Sequence, residues 1–327
     1  MLNIYPLKKI HTPLADDRSE ILENIELSLK SNDFINLNCS MDDANALVIQ
    51  EKFSYKNFRY IRNLKNDPVF KKHANKIFTI NTDDCATGLI KGLYTSLPRR
   101  RYNRRFHSIV PFDYFPNELI LSKEPKVKPD FLASWRGNPK SNKIRNKIIK
   151  LLGNDMTFDV QSTNSWFNHN VEEKRTYKNS LSHAKFSLCP AGWAPVTFRI
   201  YESMALGKCP VIIADEFVPP DGPDWKTFSV FVAEDKISNL KQILKKLEFS
   251  YDDLGEKAYQ TWEKFFSPSN IYSYSATQLI NLIQMSESPD VRSEFKRWDS
   301  YQMYLNNNWT IPQRILNKVK KYTSNLI

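Results

Sequence analysis

Glycine is scarce in this chain, with eight in 327 residues. Loops that cradle phosphates on backbone N–H groups need closely spaced glycines, so the Gly-rich phosphate loops are all but excluded. Cysteine is equally thin. Cys39, Cys85, Cys189 and Cys209 show no CxxC spacing, which removes zinc ribbons, thioredoxin-like motifs and a disulfide framework. Free thiols in a reducing cytosol are the expectation for a chain this long. Cys189 and Cys209 each precede a proline at the edge of an apolar run and are read as small buried hydrophobes. No HExxH and no Cys/His cluster with metal-ligand spacing occurs. No stretch reaches the roughly 18 continuous apolar residues of a membrane span. The N-terminal MLNIYPLKKIHTPLADD carries no apolar h-region, so a soluble, cytoplasmic chain is expected.

What is present is an ordinary globular composition, 41% apolar and 25% charged, in a length that suits two domains of about 100 to 200 residues each. The formal charge of +11 draws phosphates, acidic glycans, anionic lipid or nucleic acid without choosing among them. Part of it is concentrated in Arg99, Arg100, Arg101, Arg104 and Arg105, interleaved with Tyr102 and Phe106. A nucleic-acid binder would use such a cluster, but no zinc knuckle or RNP-type aromatic motif accompanies it. From Ile311 to Tyr322 apolar and basic residues alternate at helical spacing. That pattern fits a closing helix packed on its own domain, or peripheral contact with an anionic inner membrane face.

Along the first 120 or so residues, strand-like and helix-like segments alternate. Asn3–Leu7, Ala46–Gln50 and Lys76–Thr82 read as strands, and Asp17–Lys30 and Phe53–Lys72 as helices. Between Pro98 and Pro129 the pattern breaks into an irregular basic segment leading to a linker. A second alternation starts at Asp130: strands at 131–135, 157–161, 186–189, 210–214 and 228–232, with helices at 141–152, 172–184, 197–207, 237–247, 251–266 and 269–285. Ser141 and Thr197 are placed as helix caps, and Gly153 and Gly207 as stops. Alternation of this kind predicts α/β architecture with parallel sheets.

Two strand–turn–helix junctions carry the residues for chemistry. In the first, the strand ending at Cys189 runs through Pro190-Ala-Gly192-Trp-Ala-Pro-Val-Thr197 into a helix with Arg199 and Glu202. A helix N-terminus offers free N–H groups and partial positive charge to a phosphate. Thr197 caps the helix or gives its hydroxyl to that phosphate. Arg199 adds a fixed charge, and Glu202, three residues on, shares its face and can accept ribose hydroxyls. In the second, Trp135-Arg136-Gly137-Asn138 ends a strand and Arg145 follows in the next helix, the arrangement for bidentate phosphate contacts.

Ala184 to Pro220, AKFSLCPAGWAPVTFRIYESMALGKCPVIIADEFVPP, resembles the signature region of exostosin-like glycosyltransferases. That pattern is an apolar strand, Cys-Pro-x-Gly, a loop, Ser/Thr-x-Arg-x-x-Glu, then Gly-x-x-Pro-Val-Ile-Ile and an acidic loop. Asp224-Trp225 with Phe228-Ser229-Val230, and upstream Phe131, Arg136-Gly137 and Arg145, resemble its flanking segments, so the likeness runs over about residues 130 to 250.

The resemblance implies the GT-B fold, two Rossmann-like domains whose parallel sheets face a central cleft. Residues 1–125 would be the acceptor side, 126–290 the nucleotide-sugar domain and 291–327 a helical tail. The absence of a visible signal or anchor, a departure from the family's animal relatives, suggests a bacterial-type soluble enzyme of cell-surface polysaccharide synthesis. That enzyme would transfer a sugar with inversion from a UDP- or GDP-sugar to a glycan or lipid-linked saccharide. Gly192, Thr197, Arg199 and Glu202 would bind the donor, and Arg136, Gly137 and Arg145 would face its diphosphate. The chain has no Asp-x-Asp, so neither a cofactor nor a metal is expected. Position 210, eight after Glu202, is Pro, so the Glu-x7-Glu pair of many retaining GT-B enzymes is missing, in agreement with inversion. A fucosyltransferase-type GT-B enzyme and a non-catalytic glycan-binding protein are the alternatives. Inverting transfer also needs a general base. Asp84 is preferred and Asp83 is equally placed, since both follow the strand KIFTINT at its carboxyl end; His107 and Glu118 are further candidates.

Overall fold

The structure is a computed structural model that describes residues 1–16, 20–51, 58–84, 86–122, 127–164, 169–286 and 290–307. Cys85, the first residues of the helix expected from Asp17, those of the helix expected from Phe53, and the 311–322 stretch lie outside the described residues. In chain order the elements begin β1 (Leu2–Leu7), α1 (Glu20–Lys30), β2 (Ile35–Asn36), β3 (Ala46–Gln50), α2 (Phe58–Asn66), α3 (Pro68–His73), β4 (Ile77–Asn81), β5 (Lys91–Tyr94) and β6 (His107–Ile109). They continue with β7 (Phe131–Gly137), α4 (Lys143–Leu152), β8 (Phe158–Ser162), α5 (Val171–Ser182), β9 (Ala184–Pro190), α6 (Phe198–Ala205), β10 (Cys209–Ile213) and β11 (Val230–Phe231). Five helices close the chain: α7 (Leu240–Leu247), α8 (Tyr251–Phe265), α9 (Ile271–Met285), α10 (Val291–Trp298) and α11 (Tyr301–Asn307).

The strands form two sheets, β2-β1-β3-β4-β5-β6 and β11-β10-β9-β7-β8. The pairings β1–β2, β1–β3, β3–β4 and β4–β5 of the first are parallel, as are those linking all five strands of the second. The expected α/β class of the GT-B type, two units each built on a parallel sheet with interleaved helices, is what is observed.

The two compact units are not the consecutive blocks expected. The first comprises 1–94, 101–108 and the chain from 278 onward; the second comprises 95–100 and 109–277. Two observations explain the difference from boundaries at 125 and 290. Helix α10 is part of the first core rather than a tail. Trp298 is 0% exposed among Leu64, Phe70 and Ile77, its indole N–H donates to Glu294 at 3.0 Å, and Arg297 donates to the Leu89 carbonyl. The Pro-rich stretch after Ile109 packs on the second unit rather than linking domains. Phe112 sits 4.1 Å from Phe198, ring to ring, Asn117 donates to the Lys174 carbonyl at 3.0 Å, and Lys178 donates to Ser122 Oγ at 2.7 Å.

Local signals account for most of the element ends. The long helix expected to reach Lys72 is interrupted at Asp67-Pro68. Asp67 accepts N–H bonds from Val69 and Phe70 at 2.9 and 3.2 Å, and Pro68 opens α3, the position where its missing N–H costs nothing. Asn142, not Ser141, caps α4 by accepting the Ile144 N–H at 3.1 Å. Gly153 stays in right-handed helical geometry, whereas Gly207 adopts φ 64 after α6, the left-handed stop that favours glycine. Helix α6 lies close on its sheet because small residues meet there: Ser203 donates to Ser187 at 2.7 Å, and Cys189 and Cys209 are fully buried. On its other side, a Cβ on Gly255 of α8 would stand 2.2 Å from the Gly207 carbonyl oxygen, so the helix contact requires glycine.

Candidate active site

At the carboxyl ends of β7 and β9 the second unit gathers residues that lie far apart in the sequence. Arg199, in the first turn of α6, is 7% exposed. It donates through Nη2 to the Arg136 carbonyl. Its guanidinium lies 5.9 Å from the Trp135 ring and 5.3 Å from the Tyr177 ring, within cation–π range of both. Glu202, one turn on and 5% exposed, accepts from the Tyr177 hydroxyl at 2.5 Å. Burial raises the Glu202 carboxyl above its ordinary value, opposed by the Tyr177 hydrogen bond and the Arg199 charge. Tyr177 itself is held well above the ordinary tyrosine range by burial and by Glu202, so it stays a neutral donor.

Arg145 of α4 approaches the same indole from another side, 6.0 Å from the Trp135 ring. Its Nε donates to the Ala191 carbonyl at 3.0 Å and its Nη1 to the Asn138 carbonyl at 3.1 Å. Asn142, the cap of α4, donates to the Gly192 carbonyl at 3.0 Å. Gly192 lies close to this side chain: a Cβ there would stand 3.0 Å from Arg145 Nη2, a tight contact. Gly137 of β7 is also close to the cluster: a Cβ would stand 3.3 Å from Trp135 and 3.4 Å from Arg199 Nη2. Burial, and after it the like charge of Arg199, lower the Arg145 pKa to about 9. Among the described residues no ion pair is made by Arg145 or by Arg199. Trp135 Nε1 and Arg199 Nε are both buried without a hydrogen-bond partner.

The other expected donor-site residues are less committed. The Arg136 side chain turns to the edge strand β8 and donates to Gln161, so its backbone, not its guanidinium, joins the cluster. Thr197 is the residue before α6 but its side chain makes no capping bond, which leaves its hydroxyl free of that role. Tyr177 is a residue that sequence reasoning missed. It belongs to α5, and no spacing rule ties position 177 to 135, 199 or 202.

In the first unit, Asp83 and Asp84 follow β4 at its carboxyl end as expected. Asp83 is buried, with its N–H donating to Asn81 Oδ1 at 3.0 Å. Asp84 is exposed, and the protein around it raises its carboxyl pKa. Beneath them lies a second group that the sequence did not signal. Glu51, just past β3 and 8% exposed, accepts from Thr79 Oγ1 at 2.7 Å, from Asn81 Nδ2 at 2.9 Å and from the Tyr60 hydroxyl. Two further candidates lose their case. His107 is buried; its Nδ1 accepts the Asn103 N–H at 3.0 Å and its Nε2 meets the Gly88 carbonyl at 3.0 Å, while burial and Arg297 push its pKa down to about 3. Glu118 is paired with Lys174 at 2.6 Å, which holds it below the ordinary range. Part of the arginine cluster is also internally engaged. Arg99 donates to the carbonyls of Asp215 and Phe217 at 3.3 and 2.6 Å, and Arg100 pairs with Glu216 at 3.2 Å.

Among the described residues, no three or more His, Cys, Asp or Glu residues group as a metal site, and no helix is long and apolar enough to cross a membrane.

The profile of the exostosin GT47 domain matches residues 69–247, more than half of the chain. The chain is 31% identical over 156 residues to a probable glucuronoxylan glucuronosyltransferase of Arabidopsis thaliana, a match covering 42% of this chain and 31% of that protein. It is 40% identical over 86 residues to the probable beta-1,4-xylosyltransferase IRX10 of the same plant, covering 26% and 21%. These matches span about a third or less of the relatives' own lengths. Among solved structures, TarM aligns with a TM-score of 0.36 at 11% identity, over 74% of this chain and 44% of that one. With the profile match covering more than half of its residues, and with Arg199 and Glu202 inside the matched segment meeting Trp135 and Tyr177, the chain belongs to the exostosin GT47 family.

Proposed function

We propose that the chain is an inverting glycosyltransferase. It takes a sugar from a UDP- or GDP-sugar and gives it to a glycan or lipid-linked saccharide in polysaccharide synthesis. The observation that carries this reading is the charge count around Trp135: two guanidiniums, Arg145 and Arg199, against the single carboxylate of Glu202. That is a preorganised site for an anion, worth most where water is excluded. In the proposed mechanism Arg145 and Arg199 take the diphosphate and stabilise it as it departs. Arg136 swings from Gln161 to join them, the Thr197 hydroxyl and the N-terminus of α6 add donors, and Glu202 accepts the ribose hydroxyls. The names of the relatives make UDP-glucuronate and UDP-xylose the first donors to test. A thermal-shift panel of nucleotides and nucleotide sugars, with and without EDTA, checks the proposal. Stabilisation by at least one nucleotide sugar in EDTA is expected; no shift with any nucleotide defeats the reading, and a shift that needs Mg²⁺ or Mn²⁺ defeats its metal-free form.

The raised pKa of Glu202 sets a pH dependence. Its carboxyl takes up a proton above the ordinary value of 4.5, and the protonated form accepts hydrogen bonds less well. Affinity for a nucleotide sugar, whose diphosphate does not titrate in this range, should fall as pH drops toward 5. In Glu202→Gln it should be weaker and flat with pH. Calorimetric titrations at pH 5 to 8 measure both.

For the base, Asp84 is the better placed of the two aspartates, because it is exposed while Asp83 is buried, and a base must reach the proton it takes. Asp84→Asn should lower turnover by about 10² to 10⁴ with nucleotide affinity intact. Full activity in Asp84→Asn moves the role to Asp83, and full activity in both single variants rejects the pair.

A further inference from the structure

We infer that Tyr177 is a positioning residue of the donor site: its hydroxyl holds one oxygen of Glu202 in place, so that the other meets the ribose hydroxyls of the nucleotide. The inference rests on the reading of Glu202 as the acceptor of those hydroxyls. Glu202 has two oxygens. Oε2 takes the Tyr177 O–H at 2.5 Å, and Oε1 accepts no hydrogen bond from a described residue. A phenol has a single proton to donate, and Tyr177 commits it to this carboxylate. The same ring lies 5.3 Å from the Arg199 guanidinium. One side chain of α5 therefore touches both charged site residues of α6. Helix α5 is itself held. Asn170 accepts the Glu173 N–H at 2.9 Å while the Glu173 side chain accepts the Asn170 N–H at 3.0 Å, a capping box that closes its first turn. Next to Tyr177, Lys178 donates to Ser122 Oγ at 2.7 Å, and Ser180 donates to Asp159 at 2.5 Å. The hydroxyl thus reaches Glu202 from a fixed element, as positioning a ligand group requires.

The bond has a second effect. A hydrogen bond donated to the ionised form of a carboxyl favours that form. Burial pushes the Glu202 carboxyl up, and the Tyr177 bond opposes it first, ahead of the Arg199 charge. Cys189 of β9 also lies within reach of this charge, and burial pushes its thiol up to about 11. Tyr177 itself is held well above the ordinary tyrosine range. Strand β10 and helix α8 pack on α6 as well, but among the described residues they bring no charge that acts on Glu202. Between pH 5 and 8 the group that titrates here is Glu202. Removing the phenol hydroxyl raises the pH at which that carboxyl takes up its proton.

Calorimetric titration of UDP, GDP and their 2′-deoxy forms into the wild-type chain, Tyr177→Phe, Glu202→Gln and the double variant tests this. Tyr177→Phe keeps the ring beside Arg199 and loses only the hydroxyl. The wild type should bind its nucleotide about tenfold more tightly than the 2′-deoxy form, the scale of one hydrogen bond to a charged acceptor. In Tyr177→Phe the two forms should bind almost alike at pH 7, and affinity should begin to fall at a higher pH than in the wild type. Added to Glu202→Gln, the same substitution should change neither reading, because Tyr177 acts through Glu202. An equal loss for both forms with the wild-type pH profile, which packing alone would give, overturns the inference. So does wild-type behaviour in Tyr177→Phe. A wild-type chain that binds both forms alike, or neither nucleotide, instead removes the reading of Glu202 on which the inference rests.

Discussion

Arg199→Ala is expected to abolish measurable sugar transfer and to destabilise the second unit at the same time. The side chain holds three things at once: the Arg136 carbonyl by a hydrogen bond, the faces of Trp135 and Tyr177 by cation–π contact, and the buried Glu202 by its charge. Removing it leaves a carboxylate that is 5% exposed without its cation. Leaving a buried polar group without its compensation costs about 1–3 kcal/mol, and more for a charged one. Loss of one preorganised electrostatic contact to a departing group costs roughly 10² to 10³ in rate, and here the geometry of Trp135 and Tyr177 is lost with it. Urea denaturation and nucleotide-sugar turnover measure the two effects separately. Arg199→Lys sharpens the test. It keeps the charge near Glu202 but not the planar fork, so it should regain part of the stability and little of the rate. Wild-type turnover in Arg199→Ala would remove this residue from the donor site.

Gly92→Ala is expected to prevent the first unit from folding. Gly92 lies in β5 opposite Thr79 of β4 with φ 153. A Cβ there would stand 1.9 Å from the Thr79 carbonyl oxygen and 2.5 Å from its nitrogen. Both are backbone atoms of a central strand, so neither can rotate away. The Gly92 N–H also donates to the Phe106 carbonyl at 2.9 Å, which ties β5 to the chain leading into β6. The cost should exceed about 4–5 kcal/mol, a large share of a domain's total stability. Limited proteolysis should find cleavage throughout residues 1–94 and protection of 109–277. A Gly92→Ala chain with unchanged proteolytic pattern and melting temperature would refute the close approach.

The elements legible in the sequence were those whose signal is local. Ala46–Gln50 reads as a buried strand because all five residues are buried in the sheet, so the apolar run needs no context. Residues 91–94 and 107–109 gave no such signal. Each is short and carries a polar residue that tertiary contacts satisfy: Lys91 donates to the Asn75 carbonyl and lies 4.8 Å from the Phe78 ring, and His107 is satisfied by Asn103 and Gly88. The same holds at the site. Arg199 and Glu202 were visible through their helical spacing, and Arg136 and Arg145 through a strand–turn–helix pattern. Trp135 and Tyr177, which orient them, belong to separate elements, and only packing brings them together. Glu51 was missed for the same reason, since Thr79 and Asn81 reach it across the sheet rather than along the chain. The Asp67-Pro68 break is different. That pair is a local signal, a side-chain cap before a proline, and it outweighed the helical periodicity around it.

The packing of Trp298 beneath Phe70 has a consequence for the order in which the protein is made. Domains as a rule fold as they leave the ribosome, N-terminal first. Here the first sheet emerges early, but its core stays incomplete until α10 has been synthesised, because Trp298 and the Glu294–Arg297 pair fill it from the far end of the chain. The second unit, nearly all of it in the uninterrupted stretch 109–277, is complete before that. Nascent chains should therefore reach the native state in reverse, the later-encoded unit closing first. The earlier one waits with its apolar face open, the interval in which a chaperone has most to protect.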